Sequence, residues 1–91
     1  MIGHITGEVL FSDGVETILK TSSGIGYQVF CPKVLAEGSK AALYISHVIR
    51  ESSEDLYGFE SLREKKLFEL LVTVKNVGPK SAFSLMGSLL S

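Results

Sequence analysis

Only one cysteine, Cys31, stands among the 91 residues, so no disulfide can form within the chain. It lies in Tyr27-Gln28-Val29-Phe30-Cys31, with no base or cation beside it, and reads as a small buried apolar residue rather than a nucleophile. No apolar run approaches the roughly 20 residues needed to cross a bilayer. The opening Met1-Ile2-Gly3-His4 lacks the basic start and long apolar stretch of a secretory signal. A cytoplasmic protein with no membrane partner is therefore expected. His4 and His47 have no second ligand at metal spacing and read as structural or surface residues, so no metal or other cofactor is expected. No Gly-x-x-x-x-Gly-Lys-Ser/Thr run is present to cradle a nucleotide, and no nucleophile–base pair can be assembled. The chain is expected not to be an enzyme.

What is present is an uneven distribution of charge. The net charge is only −1, yet residues 1–61 carry −4 and residues 62–91 carry +3. A basic C-terminal part on an acidic N-terminal part suits local contact with phosphates. Taken alone, Arg63, Lys65 and Lys66 read equally well as a solvated helix face. The length allows one domain, or one domain with part of a second. It buries only about 60–65% of the unfolded surface.

The first sixty residues read as short strands separated by turn chemistry. Ile2–Phe11 is the first, and its glycines suggest a bend or bulge. Ser12-Asp13-Gly14 is a hairpin signal, followed by a strand over Val15–Lys20. Thr21-Ser22-Ser23-Gly24 turns the chain into a third strand over Ile25–Cys31. Pro32–Ser39 reads as a loop with a short helical turn at Val34-Leu35. Lys40–Arg50 and Asp55–Phe59 complete the set. Five short strands in this length predict a small closed barrel of the OB type.

At Ser61 the apolar spacing changes from two to between three and four. Ser61-Leu62-Arg63-Glu64 fits a capping box, and Leu67, Leu70, Leu71 and Val74 follow at helical intervals. This helix is expected to stop near Lys75 or Asn76. A second helix runs from Pro79 with Ala82, Phe83, Leu85, Met86, Leu89 and Leu90 apolar, and small Ala82 lets the helices approach closely. These stripes are first of all core. The apolar ending at Leu89-Leu90-Ser91 is read as that of a fragment.

Between the helices lies Val74-Lys75-Asn76-Val77-Gly78-Pro79-Lys80-Ser81-Ala82. Gly78 can take a positive φ, and Pro79 suits the first position of a helix. Lys80 and Ser81 then fall in the first turn, where unpaired amides and the positive dipole end can hold a phosphate oxygen without reading a base. The candidate phosphate contacts are the main chain of Val77, Gly78 and the Pro79–Ser81 helix start, with Lys80 and Lys75 as charges.

Met1-Ile2-Gly3, Gly24-Ile25-Gly26-Tyr27, Arg50-Glu51, Leu56-Tyr57-Gly58-Phe59 and Val77-Gly78-Pro79-Lys80 together closely resemble the RuvA family of Holliday-junction-binding subunits. The resemblance covers the whole chain in order. It implies an OB-fold domain over 1–61 that forms a homotetramer, and from 62 to 91 the start of a helix-hairpin-helix DNA-binding domain with only the first of two hairpins. It implies four-way junction DNA as ligand, in recombination and repair, with RuvB motor and RuvC resolvase as partners of the full-length protein. It also implies an acidic pin at the junction crossover, which falls on Glu51, Glu54 and Asp55. On their own these carboxylates read first as a solvated turn. Two positions depart from the family: Ser52 stands where an aspartate is usual, and Asn76 where a glycine is common. Asn tolerates the left-handed region better than most residues. The other function considered is a protein-interaction or oligomerisation module with no direct DNA contact, favoured by the apolar edge of the last helix.

Overall fold

A computed structural model describes residues 1–91. Five strands, β1 (His4–Ser12), β2 (Glu16–Lys20), β3 (Gly26–Phe30), β4 (Lys40–Ile49) and β5 (Glu54–Phe59), precede two helices, α1 (Leu62–Val72) and α2 (Pro79–Leu90). The strands close into a barrel in the order β1-β2-β3-β5-β4, the OB-type arrangement expected from the strand count.

One long strand makes that closure possible. The first half of β1 pairs antiparallel with β4, Ile5 opposite Leu43, and its second half pairs with β2, Val9 opposite Leu19. The changeover is at Glu8, which faces both Lys20 and Lys40. Gly7 stands beside it because nothing larger fits: a Cβ there would lie 2.6 Å from the Lys20 carbonyl oxygen. The bulge in β1 does not fall on a glycine. The register shifts between Val9 and Phe11, so Leu10 is the extra residue.

The turns follow their local chemistry. Asp13 Oδ1 accepts from the amides of Val15 (2.9 Å) and Glu16 (2.7 Å), and Gly14 takes φ 87°. The Glu16 and Val15 amides hold the Asp13 carboxyl below the usual carboxylate range. The helical turn expected at Val34-Leu35 is absent, and the segment is irregular. It is instead held by Ser12, whose Oγ accepts from the Leu35 amide at 2.7 Å.

Two apolar clusters form. Alternate residues of the strands, Ile5, Val9, Leu19, Val29, Leu43 and Ile45, fill the barrel together with Cys31 just past β3. Burial pushes the Cys31 thiol above its ordinary range, as befits a core residue. The second cluster, Tyr57, Phe59, Phe68, Ala82 and Met86, lies between β5 and the helices. β5 is thus covered on both faces. Gly58 points into the barrel, where a Cβ would meet Val29 at 2.7 Å and Leu43 at 3.0 Å, while its neighbours Tyr57 and Phe59 face the helices. Phe68 stacks on Tyr57 at 4.9 Å and lies 5.1 Å from Phe59; Phe83 meets Phe30 edge-on at 5.9 Å. The seam of the barrel, where β3 and β5 run parallel through Phe30 and Tyr57, lies beneath these rings.

Helix α1 begins at Ser61, whose Oγ accepts from the Glu64 amide at 3.1 Å; the return bond of a full capping box is not made. It ends earlier than expected, at Val72, because the Thr73 hydroxyl and amide both turn back to the Leu70 carbonyl. Ser46 of β4 donates to Glu69 at 3.1 Å and fixes α1 to the barrel wall.

Candidate nucleic-acid interface

The turn joining α1 to α2 runs from Thr73 to Gly78. Its left-handed residue is Asn76 at φ 69°, not Gly78, which is extended at φ −91° and ψ 177° as the N-cap of α2. Asparagine takes the strained position, leaving Gly78 as the residue that opens the helix. Pro79 follows at the first helical position, buried, with no amide to satisfy.

The amides of this turn are not equivalent. That of Val77 donates to the Val74 carbonyl at 3.0 Å and is already satisfied, contrary to the expected phosphate contact through it. The amides of Gly78, Lys80 and Ser81 have no acceptor in the protein, since the first bond of α2 runs from Ala82 to the Gly78 carbonyl at 2.9 Å. Lys80 and Ser81 are exposed, and so is Lys75 on the far side of the turn. Neither lysine forms an ion pair.

This turn faces the loop between β4 and β5 across an open cleft of about 390 Å³. Gly78, Pro79, Lys80 and Ser81 line one side, and Arg50, Ser52, Ser53 and Asp55 the other, with Val48 and Tyr57 between them. The loop is tight, closed by a bond from the Arg50 amide to the Ser53 carbonyl at 2.8 Å. The sequence pattern did not place Arg50, Ser52 and Ser53 at the site. Nothing local announces that the β4–β5 loop folds back against a turn nearly thirty residues later.

The three expected pin carboxylates do not stay together. Glu51 is exposed in the loop, and Asp55 lines the cleft. Glu54 is not in the loop: it opens β5 opposite Ile49, and its Oε2 meets His47 Nε2 at 2.5 Å. The Ile2 amide donates to His47 Nδ1 at 3.0 Å, so the ring carries its proton on Nε2 and hands it towards Glu54. His47 is therefore a structural link between the N-terminus and β5, one of the two roles expected of it.

A model of the RuvA N-terminal domain matches residues 1–58, well over half of the chain. The chain belongs to the RuvA N-terminal domain family. RuvA proteins, described as subunits of the Holliday junction branch migration complex, are similar to it along nearly its full length. The protein from Halothermothrix orenii is 38% identical over 92 residues, covering 98% of this chain and 47% of the relative. That from Campylobacter concisus is 37% identical over 95 residues, covering all of this chain and 52% of the relative. That from Acinetobacter baumannii strain SDF is 39% identical, covering 98% and 46%. The chain spans about half the length of these curated RuvA relatives. No helix in it is long and apolar enough to cross a membrane.

Proposed function

We propose that this chain is the non-catalytic, junction-binding part of a RuvA-type subunit, holding DNA by its backbone. In this reading, residues 1–61 form the assembly and pin domain, and residues 62–91 open the DNA-binding domain. The observation that carries the reading is the free amide set of Gly78, Lys80 and Ser81 at the N-terminus of α2, beside two unpaired lysines. These groups suit a phosphate oxygen and offer no bidentate pattern for a base edge, so selection is by DNA structure and not by sequence. Four copies in a tetramer would multiply a weak single contact through effective concentration. The subunit would direct a hexameric ATP-driven motor of the RuvB kind to four-way junctions, with a RuvC-type resolvase acting at the same DNA.

Glu51 and Asp55 repel phosphates near the crossover and so disfavour continuous duplex. Glu54, paired with His47, contributes charge to the same edge but not to the loop tip.

Lys80→Glu in the intact native protein is expected to weaken binding to a synthetic four-way junction while the far-UV spectrum is unchanged. Unaltered affinity at physiological salt refutes the role given to this turn. Neutralising Glu51, Glu54 and Asp55 together is expected to raise affinity for linear duplex, and no gain removes the support for the pin. A pure interaction module is the second reading, favoured by exposed Leu67, Leu70, Leu85 and Leu89 on the helices and Val74 in the turn between them. It predicts self-association in sedimentation without any junction shift on gels.

A further inference from the structure

Arg50 is surrounded in sequence by Glu51, Glu54 and Asp55, yet its guanidinium forms no ion pair and no side-chain hydrogen bond. It reaches across the cleft instead: one terminal nitrogen lies 3.9 Å from where a side chain at Gly78 would begin. Arg50 is exposed, and its unpaired guanidinium is a fork of donors free to take an anion. The group facing it is equally unfilled. Gly78 has an extended φ that any residue adopts, and apart from its two chain neighbours no protein atom is closer than Arg50 to its missing side chain. Neither conformation nor packing demands glycine there. What the missing side chain leaves is access to the main chain from the cleft.

We propose that Arg50 and the Gly78–Ser81 turn are the two jaws of a clamp for a single phosphodiester, one jaw from the barrel and one from the helices. This deepens the backbone-binding reading above and rests on it. Arg50 takes one non-bridging oxygen through its guanidinium. The free amides and Lys80 take the other. The hydroxyls of Ser52, Ser53 and Ser81 line the same cleft and can bond either oxygen. Arg50 and Lys80 against Asp55 leave the cleft with one net positive charge, matched to a phosphodiester rather than to a doubly charged terminal phosphate. The aromatic cluster beneath, with Tyr57 lining the cleft, keeps the jaws at a fixed separation.

The clamp has a mechanical corollary. Arg50 immediately precedes Glu51, in a loop closed by the Arg50–Ser53 bond. A phosphate seated on Arg50 therefore sets where the Glu51 carboxylate stands along the same strand. Arg50 is a positioning residue for the acidic loop as well as a contact.

The test uses the intact native protein with Arg50→Gln, Lys80→Gln and the double variant. Each is titrated against an immobile synthetic four-way junction over a salt series, with folding checked by circular dichroism. Arg50→Gln is expected to weaken binding about tenfold and to flatten the log–log salt slope by about 0.9, the share of one neutralised phosphate. The double variant is expected to lose less than the product of the singles, because both residues serve one phosphate. Methylphosphonate placed at successive positions of the junction identifies that phosphate, whose neutralisation is expected to abolish the effect of either variant. Weakening by Lys80→Gln alone overturns the clamp and leaves the α2 contact standing. Weakening by neither variant overturns both. Losses that multiply fully and map to different phosphates show two separate contacts, and overturn the clamp as well.

Discussion

Phe68→Ala tests how the helices are attached to the barrel. Phe68 is fully buried, stacked on Tyr57 and in contact range of Phe59, and it is the only buried α1 residue in the second cluster, with Leu71 and Val72 half-buried beside it. Truncating a buried phenylalanine costs about 3–5 kcal/mol when the cavity cannot collapse. Rings on two sides, held by β5, give this cavity little freedom to close. A chain of 91 residues has roughly 5–14 kcal/mol in total, so the loss is a large fraction of it. The barrel interior shares no residue with the cluster that Phe68 completes. The variant is therefore expected to lose its helices at a lower urea concentration than its strands, with a two-step transition by circular dichroism. Amide exchange is expected to rise through α1 and α2 while β1 and β2 stay protected. A loss below about 1.5 kcal/mol, well short of the usual cost of such a truncation, refutes the packing argument. A uniform rise in exchange across all elements refutes the independence of the two clusters.

Three further outcomes are expected. Gly7→Ala should unfold the chain or lower its melting temperature severely, since the added carbon meets main chain and not a movable side chain; a variant as stable as the parent contradicts the close approach of β1 and β2. Ser61→Ala should cost about 1 kcal/mol by urea titration, the usual value of an N-cap hydroxyl, and no change means that the Glu64 amide is satisfied otherwise. Asp13 has its carboxyl pKa lowered in the folded chain, so its stabilising effect is present above its unfolded value of 3.8 and fades as pH falls through the folded value. Asp13→Ala should therefore be less stable than the parent at pH 7, and the gap should narrow as the pH drops below 3.8; a gap independent of pH excludes the carboxylate as its source.

The strands were legible within a residue or so because the barrel's alternate burial and its Asp-Gly and Ser-Gly turns are local signals. The misplaced features depend on partners distant in sequence. The bulge went to Leu10 because Gly7 is occupied with the close approach to Lys20. The left-handed angle went to Asn76 because Gly78 is the cap of α2. At the candidate site, Lys80 and Ser81 were readable from Pro79, which fixes where a helix must begin. Arg50 was not, since its place depends on the tertiary fold-back of the β4–β5 loop. Glu54 stands apart from the expected loop for the same reason, its partner being a histidine on the neighbouring strand.

The parallel seam between β3 and β5 has a consequence for how the chain can be divided. It is the barrel's weakest margin, joined through Phe30 and Tyr57, and α1 and α2 roof it. Cut away the residues after Ser61 and those rings become a sticky strip alongside two strands short of mates. A neighbouring molecule's strand could then dock there edge to edge. The helices thus guard that one margin against edge-to-edge pairing, and the barrel is poorly suited to life without them.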